Sequence, residues 1–383
     1  MHMSVKKQKR SALLTLGTIC CLLFTFLTAF HSEIPKTLAI GSKAPDFKLK
    51  GTDGKNYTLQ SFSQAKILVI IFTCNHCPTA QAYEERIKKL TGDYENLGVS
   101  VVAIMPNYAA ALRYDELGWS DEPDDYEGMK ARAKDKAFNF PYLYDGDTEE
   151  VSLKYGPVST PHVFIFDQER ILRYAGRIDD EENFRKPVHS QDTRNAIDAL
   201  LANKPVPVET TKVFGCSVKW KSKSEWISNS KARWSKQPVS LKNIDAQGIG
   251  TLLRNEGTDK LKMFYFWSTA CTACDSGFPD YIKLSRIYQE RDFEFVSICI
   301  DDPGNATRAL DFLKAQQSAG DNWLYPKENA DSILTSQGWD KKLPYTVLVE
   351  PGGKIVFSKQ GAVDAEALRR MIFNDPFIGR LFK

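Results

Sequence analysis

Residues 67–78 read Ile-Leu-Val-Ile-Ile-Phe-Thr-Cys-Asn-His-Cys-Pro. Ile67 to Phe72 is an unbroken apolar, largely β-branched run, the pattern of a strand buried on both faces. Beyond it Ala80, Tyr83, Ile87, Leu90 and Tyr94 recur at helical spacing. The reading therefore puts Cys74 and Cys77 on the first turn of a helix, where free N–H groups and the positive dipole end favour a thiolate. Cys74 is expected to be the exposed nucleophile and Cys77 the resolving thiol. His76, when protonated, adds a further positive charge. A CxxC so placed points to thiol-disulfide exchange.

The same device occurs again. Lys262 to Trp267 is a second apolar run, followed by Cys271-Thr272-Ala273-Cys274 and a helical face of Phe278, Tyr281, Ile282, Leu284, Ile287 and Tyr288. Each copy is later followed by a proline that opens a strand, Thr160-Pro161-His162-Val163 and Leu343-Pro344-Tyr345-Thr346. A four-cysteine zinc site usually sets its pairs about 15 to 20 residues apart, whereas these pairs belong to separate repeats.

A chain of 383 residues suits two domains of ordinary size, and a net charge of +3 names no partner. Eight cysteines are few for a disulfide scaffold. At the amino terminus Lys6, Lys7, Lys9 and Arg10 precede an uncharged stretch, Ser11 to Phe30, long enough to span a bilayer. Residues 1–32 are expected to be a signal peptide or an anchor held by residues 11–30. Leu27-Thr28-Ala29 is a poor cleavage site, and Cys20 and Cys21 lack the small residue of a lipobox. The positive flank predicts that the remainder is exported to the cell envelope or periplasm, where disulfides persist.

Residues 36–203 are read as the first domain, opening with a strand and hairpin turn at Gly41 to Lys55 and closing with a helix near Asn195 to Leu201. The acidic stretch Asn107 to Phe140 reads as a solvated loop and helix, or else as a lid beside the site. Residues 204–237 are read as a linker. Its alternation of Trp220, Trp226 and Trp234 with lysines and arginines suits docking onto a domain better than nucleic-acid binding. Residues 238–383 form the second domain, with a strand from Phe293 to Ile300 and a last helix from Ala365 to Phe373. Asp179, Asp180, Asp301 and Asp302 read as solvated strand-end carboxylates, and Cys299 as an inert core thiol.

These motifs resemble the thioredoxin-like superfamily in both domains. The first is similar to AhpC/TSA-type redoxins with a CNHCP site, through Gly41 to Phe47, Phe72 to Pro78, Phe140 to Asp145, Tyr155-Gly156 and Thr160-Pro161. It also carries a Gly215-Cys216-Ser217-Val218-Lys219-Trp220 segment typical of that branch. The second resembles TlpA-like envelope thioredoxins through Phe266-Trp267, Cys271 to Cys274, Phe278-Pro279 and Leu343-Pro344. The resemblance implies an α/β protein of two tandem thioredoxin folds, each a central mixed sheet flanked by helices. It also implies that Pro161 and Pro344 are cis and pack against the CxxC pairs. In place of thioredoxin's Trp and buried Asp the chain has Thr73 and Ala270, and Leu68 and Tyr265. Gly277 stands where several TlpA-like proteins have Glu, so neither half has its expected proton acceptor.

The function expected is an extracytoplasmic thiol-disulfide oxidoreductase acting on protein disulfides through Cys74, Cys77, Cys271 and Cys274, without metal or organic cofactor. Thr160 and Leu343 would offer backbone to an extended substrate, and Cys216 is a candidate third thiol. A membrane or soluble electron donor would lie upstream. His76 argues that the first site is the more oxidising couple, which suggests a relay from the second domain to the first. One alternative is a peroxiredoxin-like peroxidase. However, counting back from Cys77 through its PxxxTxxC motif meets Cys74 and Ile70, and from Cys74 meets Ile71 and Ile67. Another is a non-catalytic docking protein, or a copper site built from Cys74, Cys77 and a histidine such as His162. His162 reads more simply as a strand residue.

Overall fold

The computed structural model describes residues 35–183, 185–326 and 338–378, and the amino-terminal leader expected above lies outside them. Among the described residues no helix is long and apolar enough to cross a membrane.

The first half begins with β1 (Lys48–Gly51), β2 (Asn56–Thr58) and β3 (Ile67–Phe72), and then enters helix α1 (Pro78–Tyr94). β4 (Val99–Met105), α2 (Tyr114–Leu117), α3 (Tyr126–Asp135) and β5 (Tyr142–Tyr144) follow. α4 (Glu150–Tyr155), β6 (Ser159–Thr160), β7 (His162–Phe166), β8 (Leu172–Gly176) and α5 (Asp192–Leu201) complete it. Its sheet runs β2-β1-β5-β4-β3-β7-β8, with β3, β4 and β5 parallel and β7 antiparallel to β3. Alternation within the all-apolar β3 builds two cores. Ile67, Val69 and Ile71 face α1 together with both cysteines, while Leu68, Ile70 and Phe72 face the opposite layer with Phe47, Tyr155 and Phe164.

Residues 204–237 are not a free tether. Glu209 and Thr211 bond to Ala175 at the edge of β8, and a strand β9 (Cys216–Ser217) pairs antiparallel with β6. Trp220 is buried, and a short helix α6 (Ser224–Lys231) follows.

The second half contains β10 (Lys242–Asn243), α7 (Ala246–Arg254), β11 (Leu261–Trp267), α8 (Thr272–Ile287) and β12 (Phe293–Cys299). After them come α9 (Ala306–Ala315), β13 (Asp321–Leu324), β14 (Tyr345–Val349), β15 (Ile355–Gln360) and α10 (Ala365–Asn374). Its sheet order is β10-β13-β12-β11-β14-β15, again parallel in the middle with an antiparallel pair at one edge. Met263, Tyr265 and Trp267 face α8, whereas Phe264 and Phe266 face the layer beneath. Cys299 is fully buried and burial pushes its thiol up to about 12, which makes it an inert core residue.

The halves meet through residues 114–122. Gly118 sits so close to α8 that a Cβ there would lie 2.5 Å from the Ile287 carbonyl oxygen. Arg291 lies over the Trp119 ring at 3.9 Å and donates to the Gly118 carbonyl. Arg369 of α10, 4% exposed, donates to the carbonyls of Leu117 at 3.1 Å and Ser120 at 2.9 Å. Truncating it strands two carbonyls in a dry contact. One nitrogen, Nη2, makes both bonds, so Arg369→Ala is expected to lower stability by about 2 kcal/mol in urea unfolding, with Arg369→Lys, whose ammonium also carries several donors, recovering part of the loss.

Candidate redox site

In the first half the helix starts later than the sequence suggested. Proline is favoured at the first helical position, so Pro78 sets the boundary and Cys77 becomes the N-cap. Cys74 lies before the helix. In the second half no proline follows the motif, and Cys271 is the N-cap with Cys274 in the first turn. Strand register gives the same correspondence. Phe72 pairs with His162 and Phe266 with Tyr345, each the residue after its proline. Four positions beyond Thr73 and Trp267, their successors, stand Cys77 and Cys271. The two CxxC pairs are thus offset by three residues, and Cys77 is the counterpart of Cys271.

This overturns the assignment of Cys74 as the exposed nucleophile. Cys74 is 2% exposed, and burial, reinforced by Cys77 and the charge of Asp124, pushes its thiol well above the usual range. Its sulfur lies 3.0 Å from the Thr160 hydroxyl. Cys77 is also fully buried, which opposes ionisation, but hydrogen bonds from the Cys216 and Cys74 thiols, the His76 charge and the Ala80 N–H outweigh burial. The Cys216 N–H adds a donor at 3.2 Å. The thiol form alone can donate to the Thr160 carbonyl, 3.2 Å away. With several donors and a cation against that one acceptor, Cys77 is the more acidic of the two thiols of the motif.

His76 is buried and its Nδ1 lies 2.6 Å from Asp124 Oδ2. Burial works against the imidazolium, yet the Asp124 carboxylate outweighs it and raises the pKa. Asp124, with no exposed surface, accepts from the N–H groups of Asn75 and His76 at 3.0 and 2.9 Å and from Asn107 Nδ2 at 2.7 Å. These bonds and the His76 charge overcome its desolvation and lower its pKa. The acidic stretch Asn107 to Phe140 therefore supplies the buried counterion of the motif, which the sequence reading had not singled out. Asp179 and Asp301, expected to be solvated, are buried as well. Asp179 accepts from Tyr83 and Arg86, while Asp301 accepts from Ser268 and Thr269 and fixes the loop ahead of Cys271.

Thr160-Pro161 and Leu343-Pro344 are both cis, as the resemblance implied. The Thr160 edge, however, is already occupied, because Thr160 pairs with Cys216 in the β6–β9 ladder. The strand that covers it is anchored by Lys219, whose N–H donates to Asn107 Oδ1 and whose ammonium reaches Glu116 at 2.7 Å. In the second half Cys271 and Cys274 form a disulfide, Cys271 is half-buried, and among the described residues no strand pairs with Leu343.

His162 is buried, packs against Phe164 with the rings tilted and accepts from the Val158 N–H; burial lowers its pKa to about 4. It is a core strand residue rather than a copper ligand. Among the described residues Cys74, His76 and Asp124 alone bring three candidate metal ligands within 4.8 Å. The carboxylate of that trio is already engaged by four hydrogen bonds.

A model of the AhpC/TSA family matches residues 40–175. Among solved structures, a hypothetical protein from Sinorhizobium meliloti 1021 is 34% identical, covering 49% of this chain and 97% of that one at a TM-score of 0.44. An uncharacterized conserved protein from Geobacillus kaustophilus is 38% identical, covering 49% and 94% at 0.44. The thioredoxin domain of a thiol-disulfide oxidoreductase from Bacteroides vulgatus is 17% identical, covering 36% and 86% at 0.29. No curated protein matches.

Two predictions follow from this geometry. The raised His76 pKa contributes stability that is complete below 6.5 and is lost as pH rises through the folded value. The lowered Asp124 pKa contributes stability that is complete above 3.8 and is lost as pH falls through the folded value. Asp124→Asn should therefore cost most between these limits, about 3 kcal/mol by urea unfolding at pH 5, and progressively less above neutrality. Separately, a Cβ at Gly215, where φ is +110°, would lie 2.0 Å from the Thr160 carbonyl oxygen. Gly215→Ala should lift β9 and speed alkylation of Cys77 by iodoacetamide about tenfold.

Proposed function

Given that residues 40–175 match a model of the AhpC/TSA family, we propose that the chain is a thiol-disulfide oxidoreductase with two unlike active sites. The observation that carries this reading is the repeated placement of a cysteine at a helix N-cap beside a cis-proline strand, each with a second cysteine of its own motif at hand. An N-cap sulfur accepts backbone N–H donors, which lowers the cost of the anion that attacks or departs in exchange. In both halves the N-cap sulfur accepts such a bond, Cys77 from Ala80 and Cys271 from Cys274.

The division of labour follows from access. Cys271 reaches solvent and is the residue that a protein thiol or disulfide meets. In the reducing direction the Cys271 thiolate attacks a substrate disulfide, one substrate thiol leaves, and Cys274 then attacks Cys271, releasing the other and closing the Cys271–Cys274 bond. Oxidation is the same sequence reversed. The first half, with Cys77 buried and its strand edge covered, takes no extended polypeptide in this conformation. The TlpA-like character of the second half, export to the cell envelope and the relay from the second half to the first belong to the same proposal. Export is supported by the basic flank and uncharged stretch at the amino terminus.

A peroxidase is the second reading. It is favoured by the position of Cys77 at the helix start ahead of Pro78-Thr79, and opposed by Cys74 and Ile70 in place of the peroxide-binding Thr and Pro. Insulin reduction with dithiothreitol as the electron source separates the two. Cys271→Ser is expected to lose at least about tenfold in rate, while Cys77→Ser keeps most of it. Consumption of hydrogen peroxide by the unaltered chain, abolished by Cys77→Ser, would favour the peroxidase instead.

A further inference from the structure

Three thiols converge at the first site, and only one of them has an outlet. Cys74 and Cys77 are 2% and 0% exposed, whereas Cys216 is only partly buried. Cys216 also occupies the place of a bound substrate strand, paired with Thr160, while its N–H donates to the Cys77 sulfur at 3.2 Å. Gly215 permits this approach, since any side chain there would collide with the Thr160 carbonyl. From this arrangement we infer that Cys216 is a shuttle thiol, the port through which the buried Cys74–Cys77 pair exchanges with small disulfides. The inference rests on the oxidoreductase reading above.

The steps balance with the groups present. The Cys216 thiol attacks an external disulfide RSSR′, passing its proton to the adjacent Cys77 thiolate; a Cys216–SR mixed disulfide forms and R′S⁻ departs. Cys77 then attacks the Cys216 sulfur, its proton leaves with RSH, and the Cys77–Cys216 bond closes. Finally Cys74, held as a thiol by its surroundings, attacks Cys77. The Cys74–Cys77 disulfide forms and Cys216 leaves as the thiol with the Cys74 proton. The external disulfide gains two electrons and the Cys74–Cys77 dithiol loses them. Cys216 ends as it began. A small dithiol reductant entering at Cys216 runs the same steps backward. The class of substrate is accordingly a small or flexible disulfide that can reach one half-buried sulfur, rather than a polypeptide strand that must lie along Thr160.

The test uses the full chain carrying Cys271→Ser and Cys274→Ser, so that the other half is silent, reduced and then mixed with glutathione disulfide. Samples are quenched in acid, and the disulfides are located by peptide mass mapping. The parent is expected to form the Cys74–Cys77 bond. Adding Cys216→Ser should slow that bond at least tenfold, adding Cys77→Ser should leave glutathione on Cys216, and adding Cys74→Ser should stop the reaction at a Cys77–Cys216 bond. The last two readouts stand even if Cys216→Ser disturbs the fold. A Cys74–Cys77 bond formed at the parent's rate in Cys216→Ser, or glutathione found on Cys77 while Cys216 stays free, overturns the shuttle and leaves the oxidoreductase reading intact. A parent that forms no Cys74–Cys77 bond overturns both for this half.

Discussion

The first half is organised around a sulfur anion that must be held without water. An ion stripped of solvent survives only if fixed dipoles and charges replace hydration, and each neighbour of Cys77 does part of that. Pro78 sets the helix boundary so that the Ala80 N–H points at the sulfur, β9 brings a second N–H, two thiols donate, and His76 supplies a cation. The cation is itself buried and depends on Asp124, which depends in turn on Asn107 and the N–H groups of the CxxC loop. One charge thus determines the burial of two others and explains why an acidic loop some 48 residues away is drawn into the centre of the domain.

That loop also faces outward. Between Asn107 and Asp124, which serve the site, lies the stretch Tyr114 to Ser120, which meets α8 and α10 of the other half. Gln81 of α1 closes the connection by donating to the carbonyls of both Asn75 and Trp119. The same Trp119 ring carries Arg291 on its face. The surroundings of Cys77 and the contact between halves are therefore built from one continuous polar network rather than from two independent features.

The strands were largely legible. Apolar runs at 67–72 and 99–105 reappear as β3 and β4 with the same ends, and both prolines are cis where the motifs placed them. Legibility failed where the answer depended on long-range packing. Nothing in Asp121-Glu122-Pro123-Asp124-Asp125 marks the fourth residue as the buried one, since its partner is fixed only by tertiary structure. Cys216 could be named as a spare thiol, but its pairing with Thr160 requires the chain to return across more than 50 residues. The exchange of roles between Cys74 and Cys77 did leave a trace. Pro78 directly after the second cysteine, and its absence after Cys274, is a helix-start signal that equal CxxC spacing conceals.

The covering strand has a consequence for competition. Any foreign polypeptide seeking the Thr160 edge contends with a rival tethered to the same molecule, whose effective concentration is on the order of millimolar for a short connection. Partners with weaker affinity than that are turned away regardless of their sequence. On the proposed function, a duplicated redox unit would in this way serve two different clienteles, one open to large visitors and the other reserved for whatever fits past a single guarded doorway.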